Sequence, residues 1–312
     1  MSQHARILVA IDGGDGGRAA IRYAAAHRGD ADLWLVHVVD LAAATGVFYP
    51  YGYAGLADQV REAGETVLAR AEMLAAELVG ADHVTATLRD GGVVAEVVHS
   101  AAESRLVVLG DERRHGLSRL VTGSVTGRVA SRAPVPVVVV PTEWAAGGDT
   151  QRVVVAVADL DASAELVAYA LGEAADRDGE LVLVHAWELP AVFYDMTLEH
   201  DQTAWEADAR HRLMQTLDRA RRLAPYAVGT EAWIQIRQGQ PAQVVAEESK
   251  GADLLVIGRR GHAFPLRRLG GTGHALLREA GCPVEVVPPV DTAASDPGPR
   301  NLRAPSGAEE GS

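Results

Sequence analysis

Lysine is nearly absent from this sequence: Lys250 stands alone beside 28 arginines, so a P-loop lysine or lysine nucleophile has one candidate, and no glycine-rich phosphate motif surrounds it. Cysteine is as scarce. With Cys282 alone, neither an internal disulfide nor a cysteine-rich metal cluster can form. Long apolar runs are missing too. Stretches such as 135–140 reach six or seven residues, where a spanning helix needs about 20. The block at 7–11 is a short strand-like run rather than a leader. A cytoplasmic chain with no membrane association is the expectation.

An excess of positive charge is also lacking. Net charge is −13, and acidic residues outnumber basic ones 17 to 13 in residues 1–148 and 25 to 16 in the remainder. This argues against a general nucleic-acid binder but leaves room for a local basic patch around one phosphorylated ligand. The 11 histidines are dispersed, with no His-Glu-x-x-His and no paired Cys/His spacing, and no Gly-x-Ser-x-Gly elbow occurs.

What the chain has in abundance is repetition. Its 312 residues, 48% of them hydrophobic, suit two domains of roughly 150 residues. "ILVAID" near the N-terminus is echoed by "VVVAVAD" from Val153. His37 and His185 sit in a shared "LVH", Gly110 and Gly258 close "LVVLG" and "LLVIG", and Ser124 and Thr272 keep the same spacing of 148. A period that long marks duplication of a whole domain, not a solenoid unit.

Each copy alternates strand and helix. In the first, the apolar run without alternation at 7–11 reads as a strand covered on both faces, and 33–38, 84–88, 106–109 and 135–140 complete the strands. Segments 18–27, 60–78, 93–102 and 125–131 read as helices. In the second copy the strands are 153–157, 181–186, 231–236, 254–257 and 284–287. This predicts two repeated α/β domains, each an open parallel sheet in a Rossmann-like three-layer arrangement with strand order 3-2-1-4-5. The domains are placed at 1–141 and 152–289, with a surface linker at 142–151. The tail 290–312 has Leu302 as its one large apolar residue after Val290, and is expected to be disordered. The terminal strands of the two sheets would expose their edges, so their pairing into an internal pseudo-dimer is expected.

The glycines after the fourth strand carry the most chemistry. The second copy reads "GRRGHAFPLRRLGGT", with Gly258, Gly261, Gly271 and Thr272 in a spaced frame. Gly258 is expected to let a ligand approach the backbone or to take positive φ. Gly271 and Thr272 are expected to precede a helix whose free N–H groups, with the Thr272 hydroxyl, could hold a phosphate. Arg259, Arg260, Arg267 and Arg268 would surround that anion. The first copy keeps Gly110, Gly123 and Ser124 but puts Arg113 in place of the second glycine. Turns that need glycine and bind nothing are the alternative for both. Asp12, at the end of the first strand, lies beside the point where successive connections leave toward opposite faces. It could bond a ribose or an adenine amine, or cap the following helix.

These blocks, "AIDGG" at 10–14, "LVHV" at 35–38, the spaced glycines and "GCPVEVV" at 281–287, resemble the universal stress protein family in its tandem form, over about 4–288. The resemblance implies ATP or another adenine nucleotide as ligand, with magnesium carried on the phosphates. It implies that Asp12 faces ribose or adenine, that Val38 lies beside adenine, and that the glycine loop with Ser124 or Thr272 holds phosphate. The second copy departs from the pattern in Ala158, with Asp159 one residue later, and in Ala186 at the Val38 position. A stress-associated nucleotide-responsive protein is the leading expectation, more non-enzymatic than catalytic. A nucleotide-independent scaffold of the same fold and a weak ATP hydrolase are the alternatives. Association of two whole chains and an unknown signalling partner stay open. His37 and His185 are expected as neutral core or crevice residues, Cys282 as structural, and Ser163 as a hydrogen bonder at a helix start. The aromatic loops (Phe48, Tyr49, Tyr51, Tyr53; Phe193, Tyr194) are expected as hydrophobic anchors, with a pocket rim or an interdomain contact as alternatives.

Overall fold

The computed structural model describes residues 5–41, 55–111, 119–147, 151–188, 199–259 and 269–289. Both aromatic loops, Arg113, Arg260, Gly261, Arg267, Arg268 and the tail from 290 lie outside the described residues.

The first half runs β1 (Arg6–Ile11), α1 (Asp15–Ala26), β2 (Asp32–Val39), α2 (Leu56–Val79), β3 (Val84–Asp90), α3 (Val93–Ala101), β4 (Leu106–Asp111), α4 (Arg119–Arg132) and β5 (Val137–Pro141). The second repeats it: β6 (Arg152–Ala156), α5 (Ala164–Asp176), β7 (Glu180–Trp187), α6 (Glu199–Leu223), β8 (Ala232–Gln238), α7 (Pro241–Glu248), β9 (Leu254–Gly258), α8 (Gly271–Glu279) and β10 (Val284–Val287). Within each half the strands are parallel and follow the expected order, with helices on both faces. The strands run as unbroken apolar stretches because both faces are covered; every residue of β5 is buried.

Several boundaries differ from the sequence reading, and three of them have a bearing on the seam and the glycine frames. Pairing of β5 begins at Val137, because Pro134 and Pro136 have no N–H to donate. Helix α4 begins at Arg119 rather than 125. Gly123 suggests a break there, yet one glycine costs a helix only about 1 kcal/mol, which neighbouring turns outweigh. Helix α8 begins at Gly271, so Gly271 and Thr272 form its first turn rather than precede it.

The halves join into one ten-stranded sheet, β3-β2-β1-β4-β5-β10-β9-β6-β7-β8. The seam is the antiparallel pair β5–β10, with Val139 opposite Val284, Val138 opposite Glu285 and Val137 opposite Val286. Val138 in "PVVVVP" and Glu285 in "PVEVVP" hold the same place in their halves and face each other. The pseudo-twofold axis therefore passes between them. On the α3/α4/α7/α8 face a single apolar core runs across the seam, from Leu8 and Val129 to Leu276 and Val286. On the opposite face the cores of the two halves are separate. Between them lies a polar cluster: Tyr169 donates to Glu285 Oε1 at 2.5 Å, and Arg177 bonds the Tyr23 hydroxyl at 3.1 Å and Glu173 Oε2 at 2.6 Å.

The outermost strands β3 and β8 are the least buried. They carry Arg89 and Arg237, charged residues of the kind that discourage edge-to-edge pairing. Among the described residues, no helix is long and apolar enough to cross a membrane.

Candidate functional site

At the carboxyl ends of β1, β2 and β4, a cavity of about 270 Å³ opens on the α3/α4 face of the first half. Its walls are apolar: Ala10, Val36 and Val38 from the sheet, Val93 and Val97 from α3, Val125 and Val129 from α4. Asp12, His37, Gly110, Asp111 and Thr126 supply its polar and backbone groups. Asp12, Val38 and Gly110, predicted from distant stretches of sequence, thus meet in one crevice at the switch point of the sheet. Its volume lies just below the ~300–1,000 Å³ usual for small-molecule sites.

Asp12 also shapes the chain. Its Oδ1 accepts the N–H of Gly14 at 2.9 Å, closing a turn in which Gly13 takes φ +88°. The N-cap of α1 is Gly14, not Asp12. Gly110 is glycine for a packing reason: a Cβ there would lie 2.1 Å from the carbonyl carbon of Gly16. The end of β4 rests directly on the first turn of α1. Neither Gly110 nor Gly258 has positive φ. Among the described residues, the nearest atom to a Cβ at Gly258 would be in the Leu166 side chain, at 3.0 Å.

Gly123 and Ser124 lie in the second turn of α4. Backbone N–H groups there are committed to the helix, so they are not the open donors of a helix start. In the second half Gly271 and Thr272 are in that position. Among the described residues, the N-cap of α8, Gly270, makes no side-chain capping bond and a Cβ at Gly271 would touch nothing within 4 Å; Gly271 and Thr272 are exposed.

Asp159 lies in the turn beyond β6. Its Oδ1 accepts the N–H groups of Asp161 at 2.9 Å and Ala162 at 3.0 Å. It therefore does for α5 what Asp12 does for α1, one residue farther along. Ser163 donates to the Asp159 carbonyl at 2.5 Å. This turn is tied to α6 through the Arg212–Asp161 ion pair, and the Arg212 guanidinium holds the Asp161 carboxyl below the usual range. Ala186 is half-buried and pairs with Arg237, as Val38 pairs with Arg89.

Three residues have roles that the sequence reading did not assign. Arg259 was expected to face an anion. Instead it is buried, 7% exposed, and its Nη1 donates to the carbonyls of Ala133 at 2.9 Å and Ala130 at 3.4 Å, in the other half. His37 Nδ1 meets the Ile11 carbonyl at 2.6 Å, and His185 Nδ1 meets that of Val157 at 2.8 Å. A carbonyl only accepts, so Nδ1 carries the proton and each ring ties its second strand to the end of its first. The repeated "LVH" was the signal for this pair; Arg259 had none, because its partners lie about 130 residues away. Among the described residues, no group of three or more His, Cys, Asp or Glu is placed to hold a metal ion.

Comparison with known proteins agrees with this architecture. The chain is 31% identical over 294 residues to universal stress protein Rv2005c of Mycobacterium tuberculosis, covering 90% of this chain and 96% of that protein. It is 27% identical over 294 residues to a universal stress protein of Mycolicibacterium smegmatis, covering 91% and 97%. The crystal structure of a universal stress protein from Archaeoglobus fulgidus shares the fold, with a TM-score of 0.64 at 18% identity over 92% of this chain and 97% of that one. The model of the universal stress protein family matches twice, at residues 4–141 and 149–288. The chain therefore belongs to the universal stress protein family, as a tandem of two such domains.

Proposed function

We propose that this chain binds an adenine nucleotide in the crevice of its first half and responds to it rather than processing it. The observation that carries this reading is the apolar cavity of about 270 Å³ whose lining brings Asp12, Val38 and Gly110 together. An adenine ring fits walls of valine and alanine. One Asp12 oxygen is engaged by Gly14, and the carboxylate keeps further acceptor capacity for a ribose hydroxyl. Efficient phosphoryl transfer would require metal-organising groups and an in-line nucleophile, and neither enters this proposal. Magnesium would travel with the triphosphate, whose oxygens and bound water supply most of its ligands.

In the second half the frame Gly258, Gly261, Gly271 and Thr272 is proposed as a phosphate site at the start of α8, with Asp159 and Ala186 at its adenosine end. The two halves would then be complementary: the first has the better adenosine crevice, the second the more open helix start.

Isothermal titration of the intact, nucleotide-stripped protein with ATP and AMP tests both. Saturable ATP binding is expected, weakened at least tenfold by Val38→Phe, which fills the wall. Gly261→Arg should remove any binding that belongs to the second half. A folded protein with no saturable nucleotide binding refutes the proposal. The leading alternative is then a scaffold, consistent with Gly110 and Asp12 having packing and turn roles of their own.

A further inference from the structure

We infer that Arg259, from the second half, is a positioning residue for the α4 wall of the first-half crevice. As a statement about ligand binding, this rests on the nucleotide reading above. Helix α4 forms one side of the cavity through Val125, Thr126 and Val129. Its last carbonyls have no donors within the helix. Arg259 satisfies two such groups, at Ala130 and Ala133, immediately after the wall residue Val129. A cation at a helix C-terminus is favoured by the helix dipole as well as by hydrogen bonding.

The clamp is stiff at its own end. Arg259 directly follows β9, and its backbone N–H donates to the Val287 carbonyl at the end of β10, at 2.8 Å. Its side chain is buried, so the guanidinium cannot swing to solvent without opening the seam. A second contact holds the middle of α4. Gly127 is buried against His274 of α8, where a Cβ would come within 3.3 Å of the imidazole Cδ2. Val129 packs into the sheet on one side, while Arg259 and His274 press from the second half on the other.

The arrangement is one-directional. The residue of the first half that corresponds to Arg259 is Asp111, a carboxylate, which cannot donate to the end of α8. Its carbonyl instead accepts the Thr142 hydroxyl at 2.7 Å. One half thus presents a crevice, and the other supplies the brace that sets its width.

Full-length Arg259→Met keeps the length and apolar stem of the side chain but removes its donors; Arg259→Lys restores charge and one point of donation. Two readouts are compared: amide hydrogen exchange along α4, and ATP titration. In Arg259→Met, exchange at 129–133 should accelerate at least tenfold while α3 is unchanged. ATP should bind about five- to tenfold more weakly at unchanged stoichiometry. Arg259→Lys should recover part of both. Unchanged exchange in α4 overturns the brace. Faster exchange with unchanged ATP affinity overturns its role in binding. If the unaltered protein binds no ATP, the nucleotide reading fails by itself, and exchange in α4 with rescue by lysine still decides whether Arg259 positions the wall. Should Arg259→Met not fold, Arg259→Lys alone carries the test: exchange and affinity identical to the unaltered protein would count against a fork-shaped clamp on two carbonyls.

Discussion

At the scale of single residues, the glycines divide into those the fold requires and those it leaves free. Gly110 is required, because any side chain would enter the backbone of Gly16. Gly110→Ala should cost about 3 kcal/mol by urea unfolding, at the upper end for overpacking, since backbone cannot move aside as a side chain can. Among the described residues nothing lies within 4 Å of a Cβ at Gly271, so Gly271→Ala should change stability by less than about 1 kcal/mol. Equal costs at the two positions would contradict this division. His27 offers a second test. It lies beside Tyr23 and Trp144, with ring centroids 4.5 and 6.1 Å away. Burial, and after it the charge of Arg177, pushes its pKa down from 6.5 to about 4. The unfolded chain therefore takes up this proton at higher pH than the folded one. The stability contribution is fully present above about pH 6.5 and is lost as pH falls toward 4. Between pH 7 and 5 the unaltered protein should lose about 2 kcal/mol more than His27→Phe does. Equal losses in the two proteins would show that His27 is not buried neutral.

At the scale of elements, each half turns from its first strand into its first helix by an aspartate that accepts backbone N–H groups. Asp12 serves one such group and Asp159 two. Asp159→Ala should therefore destabilise the protein by about 1 kcal/mol or slightly more, and Asp12→Ala by less. Only Asp12→Ala should weaken ATP binding in the first-half crevice. Thermal unfolding beside calorimetric titration separates the two effects; a larger loss of ATP affinity from Asp159→Ala would move the adenosine site to the second half. The helices that follow the glycine frames differ in the same asymmetric way. Helix α4 starts early and places the frame residues Gly123 and Ser124 in its second turn, whereas α8 starts on Gly271.

At the scale of the whole molecule, the two domains are one folding surface on one side of the sheet and two on the other. The shared core and the β5–β10 ladder cross the seam together. Cutting the linker between Gly147 and Gly148 should therefore leave the halves associated in sizing under native conditions; separation into stable monomeric halves would contradict the continuous core. The polar cluster on the opposite face draws on both domains. Tyr23 comes from the first, while Tyr169, Glu173, Arg177 and the axial Glu285 come from the second. Tyr169→Phe removes a donor from a carboxylate that is only 2% exposed. It should cost about 2 kcal/mol, as expected for a bond to a buried charged group. An unchanged urea midpoint would show that the remaining contacts of Glu285 suffice.

What was legible in the sequence follows from what is local or repeated. Unbroken valine runs mark strands covered on both faces, and the spacing of 148 marks duplication. The strand order by itself puts Asp12 beside Gly110. Helix starts were less legible, because Gly123 reads as a break while flanking turns hold the helix through it. The three-dimensional structure alone decided the fate of Arg259. An arginine beside a glycine frame has the same local sequence whether it faces a phosphate or a helix end. Its direction was set by the unpaired carbonyls of Ala130 and Ala133, brought to it across the seam. The seam has the same character: periodicity declares two sheets with exposed edges, but only their pairing puts Glu285 opposite Val138. Local pattern specifies the elements, since each residue's preference depends on its neighbours in sequence. The partners of a buried charge are chosen by desolvation, which acts between whatever surfaces the fold brings together.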